Sequence, residues 1–459
     1  MSLSNNWTAV AGGAWVYCRP VLSAETRRVT PDGHLEIGGC DAVALAEEFG
    51  TPLYVLDEGA IRASCRAYRR AFEARYPSVS IEYAGKAFLC LAMARLVQEE
   101  GLHLDVASAG ELYTALSAGF PPSELVLHGN NKSEAELQMA LEAGVGRIVV
   151  DNLPELELLG RLASGHRGRA PQAILLRIAP GVDPHTHHRL RTGQADTKFG
   201  LPITSGDALE GVRRAVASPG LLFCGLHCHL GSNLPDAGAH LAALEAMLDL
   251  AAEVRQATGL AIEELNLGGG LGIRYLPQDE AMPLEAFATT LVAALEEGLA
   301  RRHLPRPRLL LEPGRSIVGE AGVTLYTVGA IKEVTLQEPP GRRVYVAVDG
   351  GMSDNPRPQL YDAVYTAFLA NKAAQPAQTT VRVVGKHCET DVLIREVTIQ
   401  GPQAGDVLAV PSTGAYTHAM ASNYNRFPRP AVVFVHQGQA RLVVRRESLE
   451  DVLRLDVRP

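Results

Sequence analysis

The chain has 459 residues, a formal net charge of −8 at pH 7, 46% hydrophobic residues and 20% charged residues. This composition is typical of a globular protein with two or three domains, and it excludes small disulfide scaffolds and disordered chains. The acidic balance, without any Lys/Arg-rich block, argues against nucleic acid or an anionic membrane as the main partner. Small molecules are therefore the expected ligands.

Targeting and redox features predict a cytoplasmic protein. The N-terminal region lacks the basic and apolar regions of a signal peptide, and no stretch approaches the roughly 18 apolar residues of a membrane span. The seven cysteines have neither the paired spacing of a zinc site nor that of a disulfide framework. We therefore expect reduced cysteines, a cytoplasmic location and no metal.

From Ser80 to Glu312, short β-branched runs alternate with Ala/Leu/Glu-rich helical stretches. The predicted strands cover residues 81–86, 104–107, 125–128, 147–151, 173–178, 223–229, 264–267 and 309–312. Predicted helices between them include residues 110–118, 133–143, 153–163, 237–258 and 284–301. Eight such units match a (β/α)₈ barrel of the TIM type, although a doubly wound sheet has the same local alternation.

Polar or glycine-rich residues follow nearly every predicted strand. A barrel places its chemistry at the carboxyl ends of many strands, whereas a doubly wound sheet uses a single crevice. The distribution therefore favours the barrel.

After Glu312, strand-like runs punctuated by Gly and Pro predict an all-β domain. These runs are residues 323–334, 343–349, 380–384, 392–399, 406–410 and 431–444. We expect three parts: an N-terminal segment that packs with the β domain (1–48), the barrel (49–314) and the C-terminal all-β domain (315–459).

Lys86 is the last residue of the first predicted strand, in the run Tyr83-Ala84-Gly85-Lys86-Ala87, and is expected to project from the barrel mouth. A partly desolvated lysine amine has a lowered pKa and can attack a carbonyl, so Lys86 is a Schiff-base candidate. A single lysine is more often a surface residue, but its place in the whole pattern favours the functional interpretation.

The segment at residues 225–232 (GLHCHLGS) is dense in Cys and His. Alternate residues of a strand face opposite ways, so Cys228 and His229 cannot both ligate one metal ion. Two interpretations remain for His229: it lies against a flat cofactor ring, with Ser232 near a phosphate, or it is a hydrogen-bonded core histidine.

Two later strand ends also have alternative interpretations. The glycines at 268–272 fit neither the Rossmann fingerprint nor a P-loop. Two interpretations remain: they let backbone N–H groups approach a phosphate, or they only form a turn. Glu312, in the run 312–315 (EPGR), can hold a pyridinium nitrogen protonated or form a salt bridge with Arg315.

Two further segments contain reactive residue types. A lone cysteine is usually inert, but Cys388, bracketed by polar residues in 386–391 (KHCETD), can act as a general acid. The histidine cluster at 185–188, with Asp183, is interpreted as a polar loop rather than a metal site.

Together these segments resemble the diaminopimelate decarboxylases, pyridoxal-phosphate enzymes of the alanine-racemase-like fold. The resemblance runs from residues 50–55 (GTPLYV) to 424–425 (YN), nearly the whole chain. The motifs between are 83–87 (YAGKA), 105–111 (DVASAGE), 128–133 (HGNNKS), 197–200 (TKFG), 227–232 (HCHLGS), 268–270 (GGG), 312–315 (EPGR), 355–358 (NPRP), 388–389 (CE) and 414–416 (GAY). In this order and spacing they are very specific.

The resemblance implies pyridoxal 5′-phosphate as cofactor, bound by Lys86 as a Schiff base, with His229 stacked on the ring and Glu312 paired with the pyridine nitrogen. The other residues that it implies around the cofactor are Asp105, Ser232, Gly269, Gly270, Gly314, Arg315 and Tyr416. For the substrate, it implies Arg315, Arg357 and Tyr361 at the distal carboxylate, Glu389 at the distal ammonium, and Tyr416. Cys388 is implied as the general acid, contributed by the partner subunit of a homodimer with shared active sites.

The implied reaction converts meso-2,6-diaminopimelate to L-lysine and CO₂. The alternatives are a decarboxylase of the same fold that acts on ornithine, arginine or a natural-product intermediate, a racemase, and a catalytically silent pyridoxal-phosphate-binding protein. One departure bears on specificity: the family pattern Cys-Glu-Ser-Gly-Asp is one residue shorter here, Cys388-Glu389-Thr390-Asp391.

Overall fold

The computed structural model describes residues 7–9, 15–17, 27–165, 170–182 and 196–457. Within these ranges the chain forms two compact units. A barrel unit comprises residues 64–273 and 280–317, and a β-rich unit comprises residues 1–63, 274–279 and 318–459. No helix among the described residues has the length and apolarity that crossing a membrane requires.

The barrel unit contains the predicted (β/α)₈ barrel. Each strand pairs in parallel with the next along the chain, and the eighth pairs with the first, which closes the barrel. In chain order the strands are Val79–Ala84, His103–Val106, Leu125–Leu127, Arg147–Val150, Gln172–Ala179, Leu221–His227, Glu264–Asn266 and Arg308–Leu311. A short strand, Leu201–Pro202, pairs with the fifth. The strands are mostly apolar and largely buried, the pattern of a parallel sheet covered on both faces.

One α-helix follows each of the first seven strands. These helices are Leu91–Glu99, Ala109–Ser117, Glu134–Ala143, Leu153–Gly165, Asp207–Ala217, Gly238–Thr258 and Leu284–Arg301, and 3₁₀ turns cover Gly85–Ala87 and Pro122–Glu124. The helix Glu58–Glu73 precedes the first strand, and the short helix Arg315–Val318 follows the eighth. Local sequence sets the ends of Glu134–Ala143: Ser133 and Glu136 form a capping box, and Gly144 ends the helix in the left-handed conformation.

The β-rich unit is built around a large, mostly antiparallel sheet. Its strands are Leu53–Asp57, Gly322–Gln337, Pro340–Val348, Phe368–Leu369, Thr379–Val384, Val392–Ile399, Val407–Pro411, Ala431–His436 and Gln439–Val444. A three-stranded sheet comprises Arg27–Val29, Leu35–Ile37 and Cys40–Asp41, and Trp7–Ala9 pairs with Trp15–Tyr17. The helices and 3₁₀ turns are Ala42–Phe49, Arg357–Tyr361, Ala370–Lys372, His418–Met420, Tyr424–Arg426 and Leu449–Leu453.

The run 431–444, predicted as one strand, is a hairpin of two strands. Gln437 and Gly438 connect them with φ values of 51° and 77°. Two consecutive positive φ values are the requirement of a type I′ turn. The prediction was wrong here because Gln437 is not a typical turn residue, which left Gly438 as the only signal.

The part of the N-terminal segment from Arg27 onward and the first strand of the large sheet pack within the β-rich unit. Leu35 and Leu45 share a buried core with Val323 and Val433. The strand Leu53–Asp57, inside the range assigned to the barrel, instead pairs with two strands of the large sheet and is buried along its length. The structure divides its compact units at residues 63/64 and 317/318; the predicted domain boundaries, 48/49 and 314/315, stay predictions.

Candidate active site

Lys86 lies at the carboxyl end of the first barrel strand. The strand runs into the 3₁₀ turn Gly85–Ala87, and the buried Tyr83 hydroxyl donates to the Phe88 carbonyl oxygen at 2.8 Å. A Cβ at Gly85 would lie 2.8 Å from the Asp105 carbonyl oxygen, so glycine permits the second strand to approach. The Lys86 amine lies 3.6 Å from Asp105 Oδ2, with the Lys86 side chain 38% exposed and that of Asp105 1% exposed. A half-exposed amine is thus held beside a buried carboxylate.

Glu312, after the eighth strand, is buried among polar groups of the third, sixth and seventh strands. Its Oε2 lies 3.2 Å from His227 Nε2, and its Oε1 lies 3.1 Å from His128 Nε2 and accepts from Asn266 Nδ2 at 2.8 Å. Burial works to raise the pKa of Glu312, but the two imidazoles outweigh it and hold that pKa well below the usual value. Glu312 is therefore a buried anion, the state that pairs with a pyridinium nitrogen.

The two imidazoles meet edge to face, with centroids 5.0 Å apart. Burial lowers the pKa of His227 to about 4 although Glu312 opposes it, so the ring is neutral at pH 7 and donates to Glu312 from Nε2. Ligand atoms of His128, His227 and Glu312 lie within 4.8 Å of one another, a spacing that a metal ion accepts. The same spacing is explained without a metal ion, because both imidazoles lie against the Glu312 carboxylate.

His229 follows the sixth strand and is oriented by the glycine turn after the seventh. The Gly269 N–H donates to His229 Nδ1 at 3.3 Å. Burial, and then the nearby charges of Lys86 and Arg177, lower the pKa of His229 well below its usual value. His229 is therefore a neutral flat ring with a fixed tautomer, which suits packing against an aromatic cofactor.

Glycines after the seventh strand let neighbouring backbone approach so closely that a side chain would clash. A Cβ at Gly269 would lie 2.0 Å from the Glu312 carbonyl oxygen. A Cβ at Gly270, whose φ is +111°, would lie 2.5 Å from the Gly231 carbonyl oxygen. In the same unit, Arg315 donates to Ser232 Oγ from Nε and Nη2, at 3.2 and 2.8 Å. The closely packed backbone at Gly269 and Gly270, the Ser232 hydroxyl and the Arg315 guanidinium offer hydrogen-bond donors to an anion. The residues present therefore fit the phosphate of pyridoxal phosphate.

His240 and Gly314 support this arrangement. His240 Nε2 lies 3.0 Å from the Gly269 carbonyl oxygen, which fixes the turn from the following helix. A Cβ at Gly314 would lie 3.0 Å from Ala84 Cβ, so glycine lets the segment after the eighth strand approach the first. The predicted barrel residues are thereby brought to one end of the barrel: Lys86, Asp105, His229, Ser232, Gly269, Gly270, Glu312, Gly314 and Arg315.

Arg357, in the β-rich unit, is a buried guanidinium between two phenols. Its Nη1 donates to Tyr275 at 2.9 Å and to Tyr365 at 2.6 Å, and both rings flank the guanidinium. Its Nε has no hydrogen-bond partner, and no carboxylate among the described residues pairs with it. Arg357 thus keeps its charge and a donor for an acidic ligand.

Two other predicted residues also lie in the β-rich unit. Tyr361 ends the short helix Arg357–Tyr361 and is half-buried. Tyr416 is half-buried with a φ of +59°, a strained backbone for an aromatic residue and a feature that clusters at functional sites.

The shortened loop at 385–391 is held by Asp391. Asp391 Oδ2 accepts from His387 N at 3.1 Å and from His387 Nδ1 at 2.6 Å, and Oδ1 accepts from Met352 N at 2.7 Å. A Cβ at Gly351 or Gly385 would lie 2.2 or 2.0 Å from Asp391 Oδ2, so only glycine leaves room for this carboxylate.

The tip of the same loop is exposed but tethered. Cys388 and Glu389 are exposed, yet Asn425 Oδ1 accepts from Cys388 N at 3.1 Å and the Tyr424 hydroxyl donates to Glu389 Oε1 at 2.7 Å. The His387 ring stacks on Tyr424 with an interplanar angle of 11°. The loop is therefore tied at both its base and its tip in spite of its missing residue.

Several polar residues of the site were not predicted as site residues: Glu82, His128, His227, His240 and Asn266. His128 and His227 lay within the motifs 128–133 and 227–232, whereas Glu82, His240 and Asn266 lay in none of the motifs. The sequence signal that could have identified Glu82, His227 and Asn266 is that each is a polar residue inside an otherwise apolar strand. The histidine cluster at 185–188, predicted to be a polar loop, lies outside the described residues.

Comparison with protein families places the barrel in a known group. Residues 58–319 match the family described as "Pyridoxal-dependent decarboxylase, pyridoxal binding domain". This range covers more than half of the chain and contains all eight barrel strands.

Comparison with individual proteins extends the similarity to nearly the whole chain. The diaminopimelate decarboxylase of Bacillus subtilis (strain 168) is 47% identical over 435 residues, which cover 94% of this chain and 97% of the relative. The diaminopimelate decarboxylase of Actinosynnema pretiosum subsp. auranticum is 49% identical over 427 residues, 93% of each chain. The crystal structure of the M. jannaschii diaminopimelate decarboxylase with L-lysine has a TM-score of 0.87 at 33% identity, and the match covers 95% of this chain and 99% of that one.

Proposed function

Because the chain belongs to the diaminopimelate decarboxylase family of the pyridoxal-dependent decarboxylases, we propose that it converts meso-2,6-diaminopimelate to L-lysine and CO₂, the last step of lysine biosynthesis. The observation that carries this proposal is the Glu312 carboxylate, buried and held as an anion in the same barrel end as Lys86 and His229. A buried anion without a cationic ligand is costly, and a protonated pyridine ring balances it.

Pyridoxal 5′-phosphate, when bound, supplies the electron sink for the electrons left by the departing carboxylate. Lys86, with Asp105 beside it, would hold the cofactor through its amine. The Glu312 anion would favour a protonated ring nitrogen, and the neutral His229 would offer a flat face to the ring. Ser232, Gly269, Gly270, Gly314 and Arg315 would hold the phosphate.

The distal end of the substrate carries a carboxylate and an ammonium group. We assign the carboxylate to Arg315, Arg357 and Tyr361, the ammonium to Glu389, and a further contact to Tyr416. The lack of a carboxylate partner for Arg357 among the described residues supports this assignment, since a buried guanidinium rejects ligands that leave it unpaired.

We assign Cys388 as the general acid that delivers a proton to the α-carbon, acting in the site of the partner subunit of a homodimer. Its exposure in the single chain, on a tethered loop, supports this role, since a residue that completes a neighbour's site has to be presented outward. A cytoplasmic location, and the absence of metal and nucleic acid from its partners, stay predictions.

The test is a competition for substrate. The purified protein with pyridoxal phosphate is incubated with equal amounts of meso-diaminopimelate, L-ornithine, L-arginine and L-lysine, and the products are identified by mass spectrometry. We expect lysine to increase with release of CO₂ while ornithine and arginine persist. The Lys86→Ala protein is the inactive control, and Lys332→Ala, an exposed lysine of the β-rich unit, is the matched control.

Other products would redirect the proposal. Putrescine, agmatine or cadaverine would leave the fold and cofactor intact but overturn the assignments of Arg357 and Glu389. No product, with the cofactor bound, would favour a silent cofactor-binding protein.

A further inference from the structure

Asn266, at the end of the seventh barrel strand, lies between two buried carboxyl groups. Its Nδ2 donates to Glu312 Oε1 at 2.8 Å and to Glu82 Oε2 at 3.1 Å. Its Oδ1 accepts from Gly268 N at 2.8 Å, which determines the end of the amide that faces the acids. An amide nitrogen has two hydrogens, so one serves each carboxyl. The two acids therefore share one neutral donor.

The surroundings of the two acids are unequal. Glu82 is 1% exposed and Glu312 is 3% exposed, so neither charge is solvated. Glu312 has two imidazoles against its oxygens in addition to the amide. Among the residues that the structure describes, Asn266 alone donates a hydrogen bond to Glu82, and an amide compensates a buried charge poorly.

The charged groups around Glu82 also disfavour its ionisation. Groups from the neighbouring strands that act on it are Asp105, Glu264, Arg308 and Glu312, and His103 is its register partner on the second strand. Three of these are acids. Burial, and then those acids, raise the pKa of Glu82 well above its usual value, against the lowering effect of Arg308.

The remaining groups do not reverse this balance. Glu264 accepts two hydrogen bonds from Arg147, at 2.8 and 2.7 Å, which compensate its charge. Burial, and then the nearby arginines, lower the pKa of His103 to about 4, so that ring supplies no cation at pH 7.

We propose that Glu82 is a protonated carboxylic acid and a positioning residue that, through Asn266, keeps the single negative charge of the pair on Glu312. Two buried carboxylates bridged by one amide repel each other, so one of them holds a proton, and the imidazoles select Glu312 as the anion. The pairing of the Glu312 anion with the pyridine nitrogen of the cofactor rests on the proposed function, whereas the protonation of Glu82 does not.

Infrared spectroscopy tests the protonation directly. The holoenzyme and its Glu82→Gln variant are prepared with ¹³C-labelled and unlabelled glutamate, and the difference spectrum is recorded at pH 7. We expect a carboxylic-acid carbonyl band that is present in the unmodified protein, moves with the label and is missing from Glu82→Gln. A difference spectrum that contains only carboxylate bands would overturn the proposal. The result does not depend on decarboxylase activity, so it separates this proposal from the proposed function.

Cofactor affinity tests the positioning role. Glu82→Gln keeps a neutral acceptor for Asn266, so the dissociation constant of pyridoxal phosphate and the pH dependence of its bound visible absorbance should stay unchanged. Glu82→Leu leaves an Asn266 N–H unpaired beside Glu312, and we expect the dissociation constant to rise by about tenfold. Cys224→Ala, a buried change elsewhere in the barrel core, controls for general disturbance.

Two affinity results would contradict the positioning role. If Glu82→Gln changed the pH dependence, Glu82 would be carrying charge. If Glu82→Leu bound the cofactor as tightly as Cys224→Ala, the link through Asn266 would have no effect on the site. Should Glu82→Leu fail to fold, the infrared spectrum and Glu82→Gln still decide the proposal.

Discussion

At the scale of single residues, Lys86 has the most direct spectroscopic consequence. Its amine lies 3.6 Å from Asp105 at the end of the first barrel strand. We expect Lys86→Ala to lose the visible absorbance of covalently bound pyridoxal phosphate, because no amine remains to attach it. The measurement is the absorbance spectrum after removal of free cofactor, with Lys332→Ala as control. Retention of the band by Lys86→Ala would contradict the attachment at this residue.

Arg357 is expected to affect substrate binding rather than cofactor binding. Arg357→Gln removes the buried charge between Tyr275 and Tyr365 but keeps a hydrogen-bond donor. Since hydrogen bonds to charged groups contribute about 1.5–3 kcal/mol, we expect KM for diaminopimelate to rise by roughly ten- to a hundredfold. The visible absorbance of the bound cofactor should stay unchanged. Arg395→Gln, at an 83% exposed side chain of the same unit, is the control; equal KM values for the two variants would count against this role.

At the scale of elements, the base of the loop at 385–391 is held by one carboxylate, that of Asp391. Asp391→Asn places an amide donor against the N–H groups of His387 or Met352, so we expect a loss of about 1–3 kcal/mol of local stability. The measurement is hydrogen exchange of peptides that contain these two residues, together with kcat. Exchange should accelerate and kcat should fall, because the base of the loop that carries Cys388 is loosened although its tip remains bound to Asn425.

The matched control for this loop is Asp362→Asn, since Asp362 is a 74% exposed aspartate of the same unit. If Asp391→Asn exchanged as slowly as Asp362→Asn, Asp391 would not be the residue that holds the loop.

Elements with a strong local pattern were predictable from the sequence. The helix predicted at 284–301 is Leu284–Arg301, and the strand predicted at 392–399 is Val392–Ile399. In both, the periodicity and the flanking residues agree with the tertiary structure. The hairpin turn at Gln437 and Gly438 was missed because backbone φ decides it and the residue types show it only in part.

The barrel part of the candidate site was most predictable where a residue lies at the carboxyl end of its own strand. Lys86, His229 and Glu312 are the last residues of predicted strands, so their meeting follows from a closed barrel. The pairing of Glu82 with Asn266 joins the first and seventh strands, which are separated along the barrel wall by the eighth. Such a contact depends on the direction of inward-facing side chains after closure, and no local pattern contains that information.

At the scale of the whole molecule, the proposed shared site predicts complementation. One variant, Lys86→Ala, lacks the cofactor attachment, and the other, Cys388→Ala, lacks the proton donor. If each site combines Lys86 of one subunit with Cys388 of the other, a hybrid dimer contains one intact site. After the two variants are mixed and their subunits exchange, each hybrid dimer should therefore have up to about half the activity of an unmodified dimer. Mass spectrometry has to confirm the exchange, and confirmed hybrids without activity would contradict the shared site.

Acid stability is a second property of the whole chain. Burial lowers the pKa of His103, His227 and His418 to about 4 from the usual 6.5. Between pH 6.5 and 4 the unfolded chain therefore binds more protons than the folded chain, so the free energy of unfolding falls as the pH is lowered through this window. Above pH 6.5 these three histidines do not make the free energy of unfolding depend on pH. The fully buried His227 alone accounts for about 3 kcal/mol of the loss, and the two partly exposed histidines account for less.

The slope can be measured by urea unfolding, followed by far-UV circular dichroism, at several pH values between 4 and 7. His227→Gln keeps a donor for Glu312 but cannot be protonated, so the fall in unfolding free energy between pH 6.5 and 4 should be smaller in this variant. The exposed His436→Gln is the matched control. A slope in His227→Gln as steep as that of the control would show that the buried imidazole is not a source of the acid sensitivity, and would also question its neutral state beside Glu312.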